Sequence, residues 1–129
     1  MTAVLSGELL LTELDRARLL KLNSAALREL LDDASALPSP EIPADVVTMN
    51  SRVLVSDGTG AALQPLTLCY PAEADPHAGR VSVLSPVGAA LLGRRVGSAV
   101  GWRTPTGARR ELHIEALLFQ PEASGDYLA

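Results

Sequence analysis

Pro38, Pro40 and Pro43 place three prolines within six residues, and no other feature of this 129-residue chain constrains its fold as strongly. Each proline fixes φ and removes a backbone donor, so no α-helix can run through the segment. Leu37-Pro-Ser-Pro-Glu-Ile-Pro43 therefore reads as an extended linker. The apolar spacing changes across it, from helical before to strand-like after. The expected organisation is a helical hairpin over residues 1–37, a proline-rich linker over 38–44 and a second domain over 45–129.

Upstream, Thr12 is placed to cap a helix, with Glu13 and Asp15 in its first turn. Leu11, Leu14, Ala17 and Leu20 or Leu22 form its apolar stripe. Asn23-Ser24 interrupts the pattern, and Ser24 can cap a second helix with Leu27, Leu30, Leu31 and Ala34 on its apolar face. Two helices joined so closely are expected to be an antiparallel pair, each about 15–18 Å long at about 1.5 Å per residue. Such stripes can satisfy each other, so a monomer is expected.

Downstream, the spacing predicts strands at Val46–Val55, Leu63–Tyr70, Arg80–Leu84, Ala99–Arg103 and Arg109–Gln120. Ser56-Asp-Gly-Thr-Gly60 and Thr104-Pro-Thr-Gly107 are hairpin turns, and Asp75-Pro76 with Gly79 is a further turn. The last strand is long enough to require a bend. Ser85 is positioned as an N-cap and Pro86 as the first helical residue, with Val87, Ala90 and Leu91 at helical spacing until Gly93. A helix that short must lie against a sheet, which holds the Ser85–Pro86 corner rigid. Pro121–Ala129 reads as a polar tail. The fold class is α+β: an antiparallel sheet of about five strands wrapped on one short helix.

Composition narrows the function. The net charge of −4 arises before position 46, where eight acids face four bases; the remainder is balanced. No basic field is present to drive sequence-independent nucleic-acid binding. The four aromatic residues, Tyr70, Trp102, Phe119 and Tyr127, are too scattered for an aromatic-lined pocket. No apolar run is long enough to span a bilayer, and the first residues lack the basic start of a secretory signal. Cys69, the single cysteine, fits a reducing cytoplasm and reads as a small buried hydrophobe.

Catalytic constellations are hard to find in the sequence. His77 lies in a turn and His113 in a strand, without metal-ligand spacing, so no metal or cofactor is expected. Ser85 is followed by proline rather than set in a nucleophile elbow, and capping is its simpler role. Arg94-Arg95, Arg103 and Arg109-Arg110 read as a solvated rim or as a contact surface for an acidic protein or for nucleic acid. Asp32-Asp33 point about 100° apart on a helix and read as a solvated face.

Four blocks then acquire a common meaning. Asp45-Val-Val-Thr-Met-Asn-Ser-Arg52, Tyr70-Pro71, Val83-Leu-Ser-Pro-Val-Gly-Ala-Ala-Leu-Leu-Gly93 and Gln120-Pro-Glu-Ala-Ser-Gly-Asp-Tyr127 resemble, in that order, the regulator of nucleoside diphosphate kinase family. That family belongs to the Gre-factor group of bacterial transcription proteins. The resemblance implies an FKBP-like C-terminal domain preceded by a helical hairpin. It implies RNA polymerase as the partner, docked beside the secondary channel through Ser85 and Pro86, with Asp75 in the preceding loop. In cleavage factors of the group, acidic residues at the hairpin tip hold magnesium. Here the tip is Leu22-Asn23-Ser24, with no carboxylate, so a non-enzymatic regulator is expected. The family name leaves a second reading, regulation of nucleoside diphosphate kinase itself. The FKBP-like fold leaves a third, peptidyl-prolyl isomerase activity.

Overall fold

The computed structural model describes residues 9–56, 63–104 and 106–126. The chain runs β1 (Leu10–Thr12), α1 (Glu13–Leu20), α2 (Ala25–Asp32), β2 (Ser35–Leu37), β3 (Arg52–Ser56), β4 (Leu63–Cys69), β5 (Arg80–Ser82), α3 (Pro86–Leu91), β6 (Ala99–Arg103) and β7 (Arg109–Phe119). Five strands form one sheet in the order β5-β4-β3-β7-β6. Short α3 contacts β4, β5 and β6, and so touches strands at both edges of that sheet. The sheet must curl around the helix for one helix to reach both edges. This is the expected α+β class, with one correction: β4 and β5 are parallel, and the other three pairings are antiparallel. The Pro71–Gly79 segment between β4 and β5 uses two 3-10 turns, Pro71–Glu73 and Pro76–Ala78, to carry the chain back to the starting end.

The N-terminal helices form where their caps dictate. The Thr12 hydroxyl accepts the Asp15 N–H at 2.9 Å, and the Ser24 hydroxyl accepts the Leu27 N–H at 3.2 Å. Each helix has eight residues, which is about 12 Å and shorter than expected. The expected stripe of α1 is displaced: Asp15 and Leu19 are its buried residues, and Ala17 is exposed. β1 and β2, which the helical reading of this segment missed, pair in parallel and so join the chain before α1 to the chain after α2. The proline run is not extended, because Ser39–Glu41 makes a 3-10 turn. Leu19, Leu27 and Leu31 share one buried cluster with Val53, Leu68, Leu91 and Ile114, so packing is continuous across the prolines.

The strand expected over Val46–Val55 begins only at Arg52. Asn50 sits at φ +67°, and Thr48 and Ser51 bind each other's polar groups, so residues 47–51 fold as a loop. β7 is bent as expected, with register shifts against β3 on either side of Val53–Leu54. The expected polar tail is docked at its start: Pro121 and Glu122 are buried, beside Gln120, which donates to the carbonyls of Pro43 and Val46 at 2.8 and 2.7 Å. The turn at 57–60, Pro105 of the second hairpin turn and Tyr127-Leu128 lie outside the described residues.

Candidate functional site

The Ser85–Pro86 corner is built by local hydrogen bonds. Ser85 Oγ donates to the Ser82 carbonyl at 2.6 Å and accepts the Gly88 N–H at 3.1 Å. One hydroxyl thus ties the end of β5 to the start of α3, as an N-cap should. Pro86 occupies the first helical position and is exposed, while Ser85 is half-buried. Gly88 is required by close approach: a Cβ there would stand 1.9 Å from the Ser82 carbonyl oxygen. Gly93, at φ +77°, turns the chain out of the helix.

Asp75 lies at the other end of β5. Its backbone pairs with Arg80, with N···O distances of 3.0 and 2.9 Å, and its side chain is exposed. Asp75 and the Ser85–Pro86 corner therefore bracket one edge strand of the curled sheet. Leu22, Asn23 and Ser24 form the connection between α1 and α2. Asn23 adopts φ +58°, a left-handed conformation that asparagine tolerates better than most residues. The described connection presents no carboxylate side chain.

A second polar group was not visible in the sequence. Asp15, 1% exposed, accepts the Met49 N–H at 3.1 Å. Burial pushes its pKa up to about 6; the Met49 hydrogen bond opposes this and the nearby Glu122 charge adds to it. Glu122, 8% exposed, accepts the Thr48 hydroxyl at 2.7 Å. Because Thr48 gives its proton to Glu122, the Ser51 hydroxyl must donate across the 2.9 Å contact between the two. Burial, followed by the Asp15 charge, pushes the Tyr70 hydroxyl up to about 12. That hydroxyl has no partner at ordinary hydrogen-bond distance and angle, and the Arg18 guanidinium opposes the rise. This cluster joins α1, the 47–51 loop and the C-terminal turn. Residue types alone could not reveal it, although Tyr70 and Glu122 both lie within the four sequence blocks.

Other candidates take structural places. Cys69 is buried, its thiol within 3.5 Å of the Val81 carbonyl, and burial raises its pKa. Arg95, read as part of a solvated rim, makes a two-pronged pair with Asp45, each contact 3.0 Å. Asp32, Asp33 and His77 are exposed, and His113 is half-buried. Among the described residues, no three histidine, cysteine or acidic side chains converge as a metal site. Among the same residues, no helix is long and apolar enough to cross a membrane.

With the corner and the curled sheet in place, comparison with known proteins is informative. The family model for the C-terminal region of the transcription elongation factors GreA/GreB matches residues 42–118, which contain α3, the corner, β3 to β6 and all but the last residue of β7. A solved prokaryotic transcription elongation factor GreA/GreB from Nitrosomonas europaea superposes with a TM-score of 0.73 at 33% identity, covering 87% of this chain and 98% of that one. Transcription elongation factor GreA of Clostridium acetobutylicum is 34% identical over 83 residues, 64% of this chain and 52% of the relative. The class is therefore a GreA/GreB-type C-terminal domain. Within it, the regulator of nucleoside diphosphate kinase of Escherichia coli strain K12 is 46% identical over 103 residues, 80% of this chain and 76% of that protein. The chain belongs to the regulator of nucleoside diphosphate kinase family within the GreA/GreB group.

Proposed function

We propose that this protein is a transcription regulator that binds RNA polymerase near its secondary channel and does not cleave transcripts. The observation that carries the reading is the Ser85–Pro86 corner: an exposed proline on a hydroxyl-locked turn, within the region matched by the GreA/GreB model. A surface fixed by its own hydrogen bonds loses little entropy on binding. In this reading Pro86 and Ser85 meet the polymerase, and Asp75 contacts it from the far end of β5.

We read α1 and α2 as a short hairpin arm on an FKBP-like domain. Its Leu22-Asn23-Ser24 tip offers no carboxylate to hold a hard cation, and eight-residue helices reach only about 12 Å. The arm would obstruct the channel entrance rather than supply chemistry inside it. The test is capture of core polymerase by the purified protein, with a Ser85→Glu/Pro86→Ala variant beside it. Capture by the wild type and loss in the variant support the reading. Failure of the wild type to bind contradicts it, as does stimulated RNA cleavage in a backtracked complex.

The relative's name favours a second reading, in which nucleoside diphosphate kinase is the target. Direct binding to the purified kinase, with none to polymerase, would select it.

A further inference from the structure

A polar cavity of about 200 Å³ opens on the face of the sheet turned away from α3. Alternation along β4 sends Leu66 and Leu68 into the core and Thr67 and Cys69 to the opposite face. The 3-10 turn Pro71–Glu73 packs on β5 and brings Glu73 to this face. Asn50, Thr67, Cys69, Glu73 and Arg80 line the cavity. Arg52 of β3 and Arg80 of β5 are the cross-strand partners of Thr67, so the three side chains stand in one row, with both arginines exposed. Cys69 closes the floor, its thiol 3.5 Å from the Val81 carbonyl. Burial raises its pKa, the Glu73 charge adds to the rise and the Arg80 charge opposes it, so the floor is uncharged and both charges reach it.

The backbone beneath these groups is fixed. The Asn50 N–H donates to the Leu68 carbonyl at 2.7 Å, and Arg80 is paired through its backbone with Asp75. The side chains themselves are uncommitted: among the described residues, those of Asn50, Arg52, Thr67, Glu73 and Arg80 make no hydrogen bond or salt bridge. Two guanidinium groups and one carboxylate thus surround a hydroxyl and an amide. A bare anion such as phosphate would gain from the arginines and be repelled by Glu73, and a simple cation would meet the reverse. A molecule with two carboxylates and one ammonium group complements all three charges. The volume is below that of sites for drug-sized ligands and suits a molecule of amino-acid size.

We propose that this cavity binds a free acidic α-amino acid, its two carboxylates paired with Arg80 and Arg52 and its ammonium group with Glu73. The Thr67 hydroxyl and the Asn50 amide supply further hydrogen bonds to the carboxylate held by Arg80. The proposal goes beyond polymerase docking through Ser85–Pro86 and does not depend on it, because it concerns a different set of side chains and is read on the protein alone.

The isotope-labelled full chain is titrated with L-glutamate, L-alanine, glutarate and inorganic phosphate at constant ionic strength, with two-dimensional amide NMR as the readout. L-glutamate is expected to shift the amides of Asn50, Thr67, Cys69 and Arg80 saturably. It should bind at least about tenfold more tightly than glutarate, which lacks the ammonium group, and than L-alanine, which lacks the second carboxylate. Glu73→Gln is expected to remove the advantage over glutarate, and Arg52→Gln the advantage over L-alanine. Arg80→Gln is expected to weaken L-glutamate at least about tenfold. All three positions are exposed, and the amide spectrum of each variant checks that it is folded. No saturable shift, equal or tighter binding of glutarate, L-alanine or phosphate, or unchanged preferences in the folded variants overturns the proposal.

Discussion

Asp15 is the residue whose chemistry departs furthest from its sequence appearance. An acid in the first turn of a helix normally gains from the helix dipole at the surface. Here it faces inward, among Thr12, the Met49 amide, Glu122 and Arg18. Its folded pKa of about 6 lies above the unfolded value, so the native state binds more protons between those values. The stability contributed by protonation is full below the unfolded pKa and is lost as pH rises through about 6. The upward shift from 3.8 to about 6 corresponds to roughly 3 kcal/mol. Asp15→Asn should flatten the fall in stability between pH 4 and 6, measured as urea-unfolding free energy against pH, relative to wild type. A parallel slope in the variant would show that other groups carry the dependence.

Gly88 is the second decisive residue. A methyl group there would meet the Ser82 carbonyl at 1.9 Å, which is backbone and cannot swing aside. Gly88→Ala should cost about 3 kcal/mol or more, read by chemical denaturation. Ala89→Ser, one position on, should cost less than about 1 kcal/mol.

At the scale of elements, what could be read in the sequence was what is local. The caps at Thr12, Ser24 and Ser85 each depend on a hydroxyl and an amide three residues away, and all three form. The corner was thus legible residue by residue. The β1–β2 pair was not, because a parallel pairing of Leu10–Thr12 with Ser35–Leu37 spans both helices and has no local signature. Nor was the buried cluster, whose members come from α1, the 47–51 loop, Tyr70 and the C-terminal turn. Glu122 read as part of a polar tail because its partner Thr48 is 74 positions away. The parallel step from β4 to β5 was missed for the same reason: the intervening turns were legible, and their combined direction was not.

Leu31 tests how α2 is held. It is 1% exposed within the cluster that also contains Leu68 and Ile114. Leu31→Ala should lower global stability by about 2–5 kcal/mol. Far-ultraviolet circular dichroism and Trp102 fluorescence, which report respectively on the helices and on β6, should move together. If the helices melt first and the Trp102 transition is unmoved, the N-terminal arm is an independent unit.

At the scale of the whole molecule, a curled sheet holds one short helix, the helix holds one corner, and the shared core fixes the N-terminal pair to the same body. The arrangement concentrates local rigidity at the Ser85–Pro86 corner, where one hydroxyl ties β5 to α3. In the function proposed above, binding to RNA polymerase passes through Pro86. Pro86→Glu is the sharpest probe, since an acid at the first helical position suits the helix dipole and the side chain is exposed. Equilibrium titration of fluorescently labelled core polymerase with wild type and Pro86→Glu measures this directly. Saturable wild-type binding is expected, weakened at least about tenfold in the folded variant; equal affinities for the two proteins, or no wild-type binding, would contradict docking through Pro86.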